Sequence, residues 1–253
     1  MRRLIKPIPI ILMIVMSLAC PEARPGEGSA SGVEAQTRLK PGMNFFSVRD
    51  DVEIGRRSAQ EIERKYRTYD DPRLDRIGRR LAARSSMPSL PWRFRVIDRR
   101  EVNAFALPGG YVYVTSGLMR AARNEDEVAG TLAHEITHVT LRHGTNQASK
   151  AMLARMPLQM LGGLAGRGAG GALAQLGLGF GLNSLFLKYG RSAETQADVG
   201  AVQLMSRAGY NPYGLASFLG TLKGRGSEFF SDHPNPSNRV GRVEQEIRML
   251  RRR

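Results

Sequence analysis

The segment Thr131-Leu-Ala-His-Glu-Ile-Thr-His138 carries two histidines four residues apart, with a glutamate directly after the first. On an α-helix, positions four apart lie one turn apart on the same face, so His134 and His138 can present both imidazoles to one metal ion. Glu135 would then stand close enough to a water beside that metal to take its proton. The chain has only four histidines in 253 residues, so chance explains this spacing poorly. The pattern predicts a zinc hydrolase site; the alternative is a pair of structural core histidines beside a solvated glutamate.

The residues around the motif predict the helix that must carry it. Asn124 suits the N-cap, and the acidic run 125–127 suits the first turn, with Glu127 in the capping-box position. Apolar residues then recur at helical spacing, at Val128, Leu132, Ile136 and Val139. Gly144 is expected to end this helix. His143 is expected to point away from the histidine pair. It is expected to interact with the helix dipole at the C-terminus and not to bind the metal.

Two histidines do not complete a catalytic zinc site, which usually takes three protein ligands and leaves a fourth position for water. The best candidate for the third ligand is Glu194, on a predicted helix for which Ser192 resembles an N-cap. Asp198 lies on the same face, where it can accept the free ring N–H of a ligand histidine. Judged from spacing alone, two carboxylates four residues apart are more often a solvated helix face.

Several stretches resemble the gluzincin metallopeptidases of the HtpX, BepA and CAAX-prenyl-protease family, and the resemblance covers about residues 45–250. The stretches are Asn103-Ala-Phe-Ala-Leu-Pro-Gly-Gly-Tyr-Val-Tyr-Val-Thr-Ser-Gly-Leu118, the motif at 134–138, the segment 194–198, and His233-Pro234 followed by Arg239. The resemblance implies one zinc ion per chain, bound by His134, His138 and Glu194. It also implies that Glu135 activates water and that Asp198 supports a ligand histidine. His233 and Arg239 would assist the charge that develops on the scissile carbonyl.

The expected fold is α+β, a mainly helical zincin-like domain with a small β-sheet beside the active-site helix. Helical patterns cover 54–69 and 72–85, and a terminal helix is expected after Pro236. Strand patterns cover 92–97, 104–107 and 111–115, with a turn at 108–110. By resemblance, Asn103, Ala104 and Phe105 belong to an edge strand that holds the substrate backbone by strand addition. A plain structural hairpin is the alternative.

The first twenty residues differ in kind from the rest. Three basic residues precede an apolar run from Ile8 to Ala19 that is too short to span a bilayer comfortably, which predicts an export signal at 1–20. Cys20, the only cysteine, follows this run, so cleavage before it and lipid attachment to it would give a membrane-anchored bacterial lipoprotein. Ser17 replaces the usual leucine of the lipoprotein box. Two alternatives therefore stay open: cleavage of the signal without lipid attachment, and a signal segment that is retained as a membrane anchor. Residues 21–42 are predicted to be a flexible tether, and residues 43–253 the metallopeptidase domain.

The apolar segment 156–187 is interrupted by many glycines and by Arg167, which favours a mobile lid or a packed helix hairpin over a membrane-dipping segment. The formal charge of +15 predicts attraction to anionic surfaces such as phospholipid headgroups. Nucleic acid is not an expected partner, because an exported chain would seldom meet it.

The predicted function is a periplasmic, membrane-anchored zinc endopeptidase that cleaves misfolded or misassembled envelope proteins. Two alternatives stay open. One is a chaperone or assembly factor for outer-membrane or periplasmic proteins with a latent zinc site. The other is a processing enzyme dedicated to one substrate.

Overall fold

The computed structural model describes residues 39–155, 189–222, 233 and 238–252. The predictions for the export signal at 1–20, lipid attachment at Cys20 and the glycine-rich segment 156–187 lie outside these residues. Most of the tether predicted for 21–42 lies outside them as well. Of its last residues, Leu39 is half-buried and its side chain lies beside Gly200.

Within the described ranges the chain forms eight helices and four strands. The helices are α1 (Val48–Lys65), α2 (Pro72–Ala82), α3 (Ser116–Ala121), α4 (Glu125–Thr140), α5 (His143–Arg155), α6 (Arg191–Arg207), α7 (Tyr213–Leu222) and α8 (Arg239–Arg251). The strands are β1 (Thr68–Tyr69), β2 (Arg93–Ile97), β3 (Ala104–Leu107) and β4 (Tyr111–Thr115). The expected α+β, mainly helical fold is confirmed. None of the helices in these ranges is long and apolar enough to cross a membrane.

The predicted element boundaries agree with the structure to within a few residues, with one larger difference at α1. This helix begins at Val48 instead of residue 54, because Ser47 and Asp50 form a capping box that starts it earlier. It also ends at Lys65, so the predicted last turn is replaced by strand β1.

The sheet has the order β1-β2-β4-β3, with β2 and β4 parallel and the other two pairs antiparallel. Strand β4 is buried at every position and β3 lies at the edge, as expected for the strand beginning near Asn103. The turn between them needs left-handed backbone at Gly109 (φ 77°) and Gly110 (φ 105°), which glycine adopts without steric cost.

Helix α4 is the centre of the domain and contacts α2, α6, α7 and β3. It is buried on all sides from Glu127 to Thr140, more completely than the predicted apolar stripe required. Asn124 is the N-cap as predicted, and its side chain accepts the N–H of Glu127. The predicted capping box is wrong, because the Glu127 carboxylate instead binds the backbone N–H and guanidinium of Arg123.

Helix α6 approaches α4 closely at Gly200. A Cβ at this position would lie 2.4 Å from Cγ2 of Thr137, so only glycine permits the two helices to pack at this distance. The predicted N-cap at Ser192 is wrong: Gly190 is the N-cap, so α6 begins two residues earlier than predicted, at Arg191. The close packing brings the acidic residues of α6 against the histidines of α4.

Candidate metal centre

Four buried side chains from separate parts of the chain meet between α4 and α6. They are His134, His138, Glu194 and His233, and one potential ligand atom from each lies within 4.8 Å of the others. Nε2 of His134 and Nε2 of His138 are 3.0 Å apart. The Glu194 carboxylate lies 3.4 Å from Nε2 of His138 and 3.5 Å from Nε2 of His134. The three predicted ligands therefore face one point, and this group could hold a metal ion.

The predicted ligands differ in their electrostatic settings, and burial lowers the pKa of His138 well below its usual range. Burial alone would raise the pKa of Glu194, but contacts with His134, His138 and His233 lower it well below its usual range. Burial alone would likewise lower the pKa of His134, but its hydrogen bonds to Asp198 and Glu194 raise it to about 9. Imidazole nitrogens and a carboxylate that converge on one point are donors that a metal cation binds, so the residues present fit one.

Glu135 lies beside this group. Its side chain is buried, and neither carboxylate oxygen has a hydrogen-bond partner among the described residues. Burial therefore raises the pKa of the Glu135 carboxyl. A buried carboxylate without a hydrogen bond is costly in a protein core, and it is the arrangement expected of a proton acceptor for water at a reaction site.

His233 lies within the group, on the side of Glu135. Its Nδ1 is 3.1 Å from Oε1 of Glu194 and 3.4 Å from Nε2 of His134. Its Nε2 is 3.4 Å from Oε1 of Glu135. The structure thus brings His233 to the predicted centre, in a position where it could act as a fourth ligand.

Asp198 and Arg239 form a second layer of contacts around His134. Oδ1 of Asp198 lies 3.0 Å from Nδ1 of His134, as predicted for the acceptor of its ring N–H. The Arg239 guanidinium binds both Asp198 oxygens, at 2.8 Å and 2.6 Å, and its Nη1 is 3.4 Å from Glu194. Arg239 is therefore held by these two carboxylates, a contact that the family resemblance did not imply.

The expectation that His143 points away from the histidine pair is wrong. Helix α4 ends at Thr140, before Gly144, and the chain turns at Arg142, the one non-glycine residue in the described ranges with a left-handed backbone (φ 56°). The turn carries His143 back to α4, and its Nδ1 lies 2.9 Å from Nδ1 of His138. The expectation assumed a continuous helix, on which a residue five positions along would point away.

Sequence reasoning also missed Tyr189. Its ring stacks on His138, with centroids 4.0 Å apart and an angle of 19° between the planes. Tyr189 lies just before α6, and nothing in its local sequence signals this contact. It restrains the ring of a predicted ligand from one face.

A sequence-family model described as "Peptidase family M48" matches residues 68–247, a range that contains every residue of the site. The chain belongs to peptidase family M48. Its members are metal-dependent peptidases, and the buried His134, His138, Glu194 and His233 group is the arrangement here that could bind the metal.

Curated relatives of this M48 chain include peptidases from bacteria and yeast. The "Beta-barrel assembly-enhancing protease" of Escherichia coli K12 is 27% identical over 222 residues, covering 81% of this chain and 45% of the relative. "Mitochondrial metalloendopeptidase OMA1" of Schizosaccharomyces pombe is 31% identical over 178 residues, covering 68% and 51%. "Metalloprotease YcaL" of Escherichia coli K12 is 29% identical over 197 residues, covering 75% and 74%. The chain spans about half the length of the first two relatives.

Proposed function

We propose that this chain is a zinc-dependent endopeptidase of the bacterial cell envelope that hydrolyses exposed segments of misfolded or misassembled proteins. The observation that carries the proposal is the convergence of His134, His138 and Glu194 beside the buried carboxylate of Glu135. Membership of family M48 supports the peptidase activity. The envelope as the compartment rests on the export signal predicted for residues 1–20.

The donor set favours zinc. Two imidazole nitrogens and one carboxylate are a common ligand set of catalytic zinc, and tetrahedral bonds of about 2 Å put neighbouring ligand atoms about 3.3 Å apart. The separations among His134, His138 and Glu194 are 3.0 to 3.5 Å. Zinc, when bound, would supply the positive charge that polarises a peptide carbonyl and promotes attack by water.

The side chains around the proposed zinc site transfer the proton and hold the ligands in position. Glu135 takes the proton of the attacking water and passes it to the departing amine. Asp198 accepts the Nδ1–H of His134, which leaves Nε2 of that ring free to bind. Arg239, paired with both Asp198 oxygens, holds that carboxylate in place.

Strand β3 offers the substrate a backbone edge. In an antiparallel ladder, alternate residues direct their N–H and C=O groups to the paired strand. Asn103 directs its groups to β4, since its carbonyl accepts the N–H of Thr115. Ala104 and Ala106 therefore direct theirs to the outer edge, although the Ala104 N–H is taken by the Asn103 side chain. An extended substrate would pair with Ala106 and the carbonyl of Ala104, while Asn103 and Phe105 set the register.

The position of His233 favours a second candidate function. Because its Nδ1 lies among the predicted ligand atoms, His233 can occupy the place that substrate and water need. A site closed in this way suits a chaperone or assembly factor that binds unfolded clients and holds its peptidase centre latent. The presence of Glu135 favours the peptidase.

We expect His233→Ala to raise basal proteolysis without loss of metal, because the variant removes a side chain that fills the fourth position. The measurement is the cleavage rate of an unfolded protein, together with metal content. A lower kcat at unchanged metal content would instead assign His233 to stabilising the charge on the carbonyl oxygen. An unchanged rate and unchanged client affinity would remove it from the site.

The proposed lipid anchor is tested at Cys20. Labelled fatty acid should enter the wild-type chain and be absent from Cys20→Ser, and the mature wild-type chain should begin at Cys20. The measurement is label incorporation and N-terminal mass in bacterial cells. Soluble protein that begins beyond residue 20 and carries no lipid would indicate ordinary signal cleavage.

The two candidate functions separate in one experiment on purified protein. Metal content is measured first, and unfolded casein is then incubated with the protein, with and without a chelator and with zinc restored. The peptidase proposal expects cleavage that the chelator stops and zinc restores. Full metal occupancy with tight client binding and no cleavage would favour the assembly factor.

A further inference from the structure

The two predicted histidine ligands have different partners on their outer ring nitrogens. Nδ1 of His134 meets the carboxylate of Asp198 at 3.0 Å. Nδ1 of His138 meets a third imidazole, Nδ1 of His143, at 2.9 Å. Two imidazole nitrogens at this distance share one proton, so one ring must donate it and the other must accept it.

A contact beyond His143 favours one of these two assignments. Nε2 of His143 lies 3.5 Å from Oε1 of Gln196, at the outer limit of a hydrogen bond. The amide nitrogen of Gln196 donates to Oγ of Ser192 at 3.3 Å, which turns the amide oxygen toward His143. An oxygen facing Nε2 favours the proton on that nitrogen and leaves Nδ1 of His143 with a lone pair. In this arrangement His138 donates its Nδ1–H to His143.

We propose that His143 is a positioning residue of the metal centre, which accepts the Nδ1–H of His138 and so directs the lone pair of its Nε2 toward the metal. This inference rests on the proposed function, because it takes His138 to be a ligand. Metal-binding histidines in general need such a partner to fix tautomer and ring orientation. Here the partner is a neutral imidazole oriented by Gln196.

The fold holds His143 in this position by a strained turn. Arg142 has a left-handed backbone, which is unfavourable for a non-glycine residue and persists only where the surroundings enforce it. Its side chain does so by binding buried Asp51 of α1 at 2.6 Å and the carbonyl of Phe46. The turn is therefore tied to α1 and to the segment before it, and His143 follows directly from the turn.

Helix α6 supplies the outer partner of His134 and the residue that contacts His143. It carries the predicted ligand Glu194, the acceptor Asp198 for His134, and Gln196 for His143. A carboxylate partner raises the basicity of a ligand histidine more than a neutral imidazole does. His138 is therefore the weaker donor of the two, and its binding depends more on orientation by His143 and on stacking by Tyr189.

The test compares metal binding by wild-type protein, His143→Leu and His143→Asn, with zinc and with Co²⁺ as probes. Affinity is measured by competition with a chromophoric chelator, and the Co²⁺ absorption spectrum reports ligand geometry. Loss of an orienting partner typically weakens metal binding about 10- to 100-fold. We expect that loss and an altered Co²⁺ spectrum for His143→Leu. His143→Asn should recover most of the affinity, because its side-chain oxygen lies near the position of Nδ1 and can accept the same proton.

A second pair of variants tests the role of Gln196. Gln196→Leu should weaken metal binding less than His143→Leu does, because it loosens the imidazole without removing it. Gln60→Leu, at an exposed position of α1, is the matched control and should bind as wild type does. This pair also tests the positioning role of His143 if His143→Leu fails to fold. In that case, a Gln196→Leu variant with wild-type metal affinity and Co²⁺ spectrum would overturn the proposal.

The outcomes for the metal site and for His143 are distinct. Wild-type protein that binds no stoichiometric metal overturns the proposed function and this inference together. Wild type that binds metal, with His143→Leu equal to it in affinity and Co²⁺ spectrum, overturns the positioning role alone. His143→Asn as weak as His143→Leu would also overturn it, since only the packing of the imidazole would then matter.

Discussion

His134→Ala, His138→Ala and Glu194→Ala are each expected to abolish stoichiometric metal binding and, with it, cleavage. The physical reason is that a catalytic metal is usually held by three protein ligands, and two buried groups do not retain it against exchange with solvent. Each substitution also leaves an unbalanced charge or polar group in the core. Histidine removal leaves Glu194 without one of the contacts that lower its pKa, so metal loss and a lower melting temperature should appear together.

Metal analysis of the purified variants tests this expectation. Glu244→Ala is the matched control for Glu194→Ala, because Glu244 is a partly exposed glutamate of α8 that pairs only loosely with Arg248, at 3.8 Å. It should keep full metal content. Stoichiometric metal in Glu194→Ala would transfer the role of third ligand to another residue, and His233 is the nearest candidate, with Nδ1 3.1 Å from the Glu194 carboxylate.

Glu135→Gln should keep the metal and the fold but lower the cleavage rate at least about a hundredfold, the scale of a lost general base. The amide has the shape of the carboxylate and cannot take a proton from water at neutral pH. The native side chain is buried, and its oxygens have no hydrogen bond among the described residues. The substitution therefore removes a costly buried charge, and stability should be equal or higher.

Cleavage of unfolded casein, metal content and melting temperature should be measured on the same preparations of wild type and Glu135→Gln. Glu244→Gln again serves as the control, and it should cleave as wild type does. A Glu135→Gln variant that cleaves at the wild-type rate would show that the proposed mechanism is wrong. A variant that loses both activity and metal would instead make Glu135 part of the metal-binding group.

Local sequence was sufficient for the elements that begin and end within a few residues of their signals. Asn124 and the acidic run after it marked the start of α4, and the strand patterns matched β3 and β4. The spacing of His134 and His138 placed both imidazoles on one helical face. These features depend on backbone geometry over one or two turns, so short patterns are enough to predict them.

The resemblance to a known family supplied what spacing alone could not. From helical periodicity, Glu194 and Asp198 were more consistent with a solvated face, yet both are buried against α4. Gly200 has no side chain and carried no such signal, although it lets α6 approach the histidines. The metal and catalytic roles of these residues stay predictions until the variants are measured.

Only the tertiary structure decided the contacts around the predicted ligands. Arg239 and Asp198 are 41 positions apart in the chain, and Tyr189 reaches His138 from outside α4. His143 returns to His138 because Arg142, held by Asp51, accepts a backbone conformation that its residue type disfavours. A local pattern cannot encode such an interaction, because the energy that maintains the turn comes from a distant part of the chain.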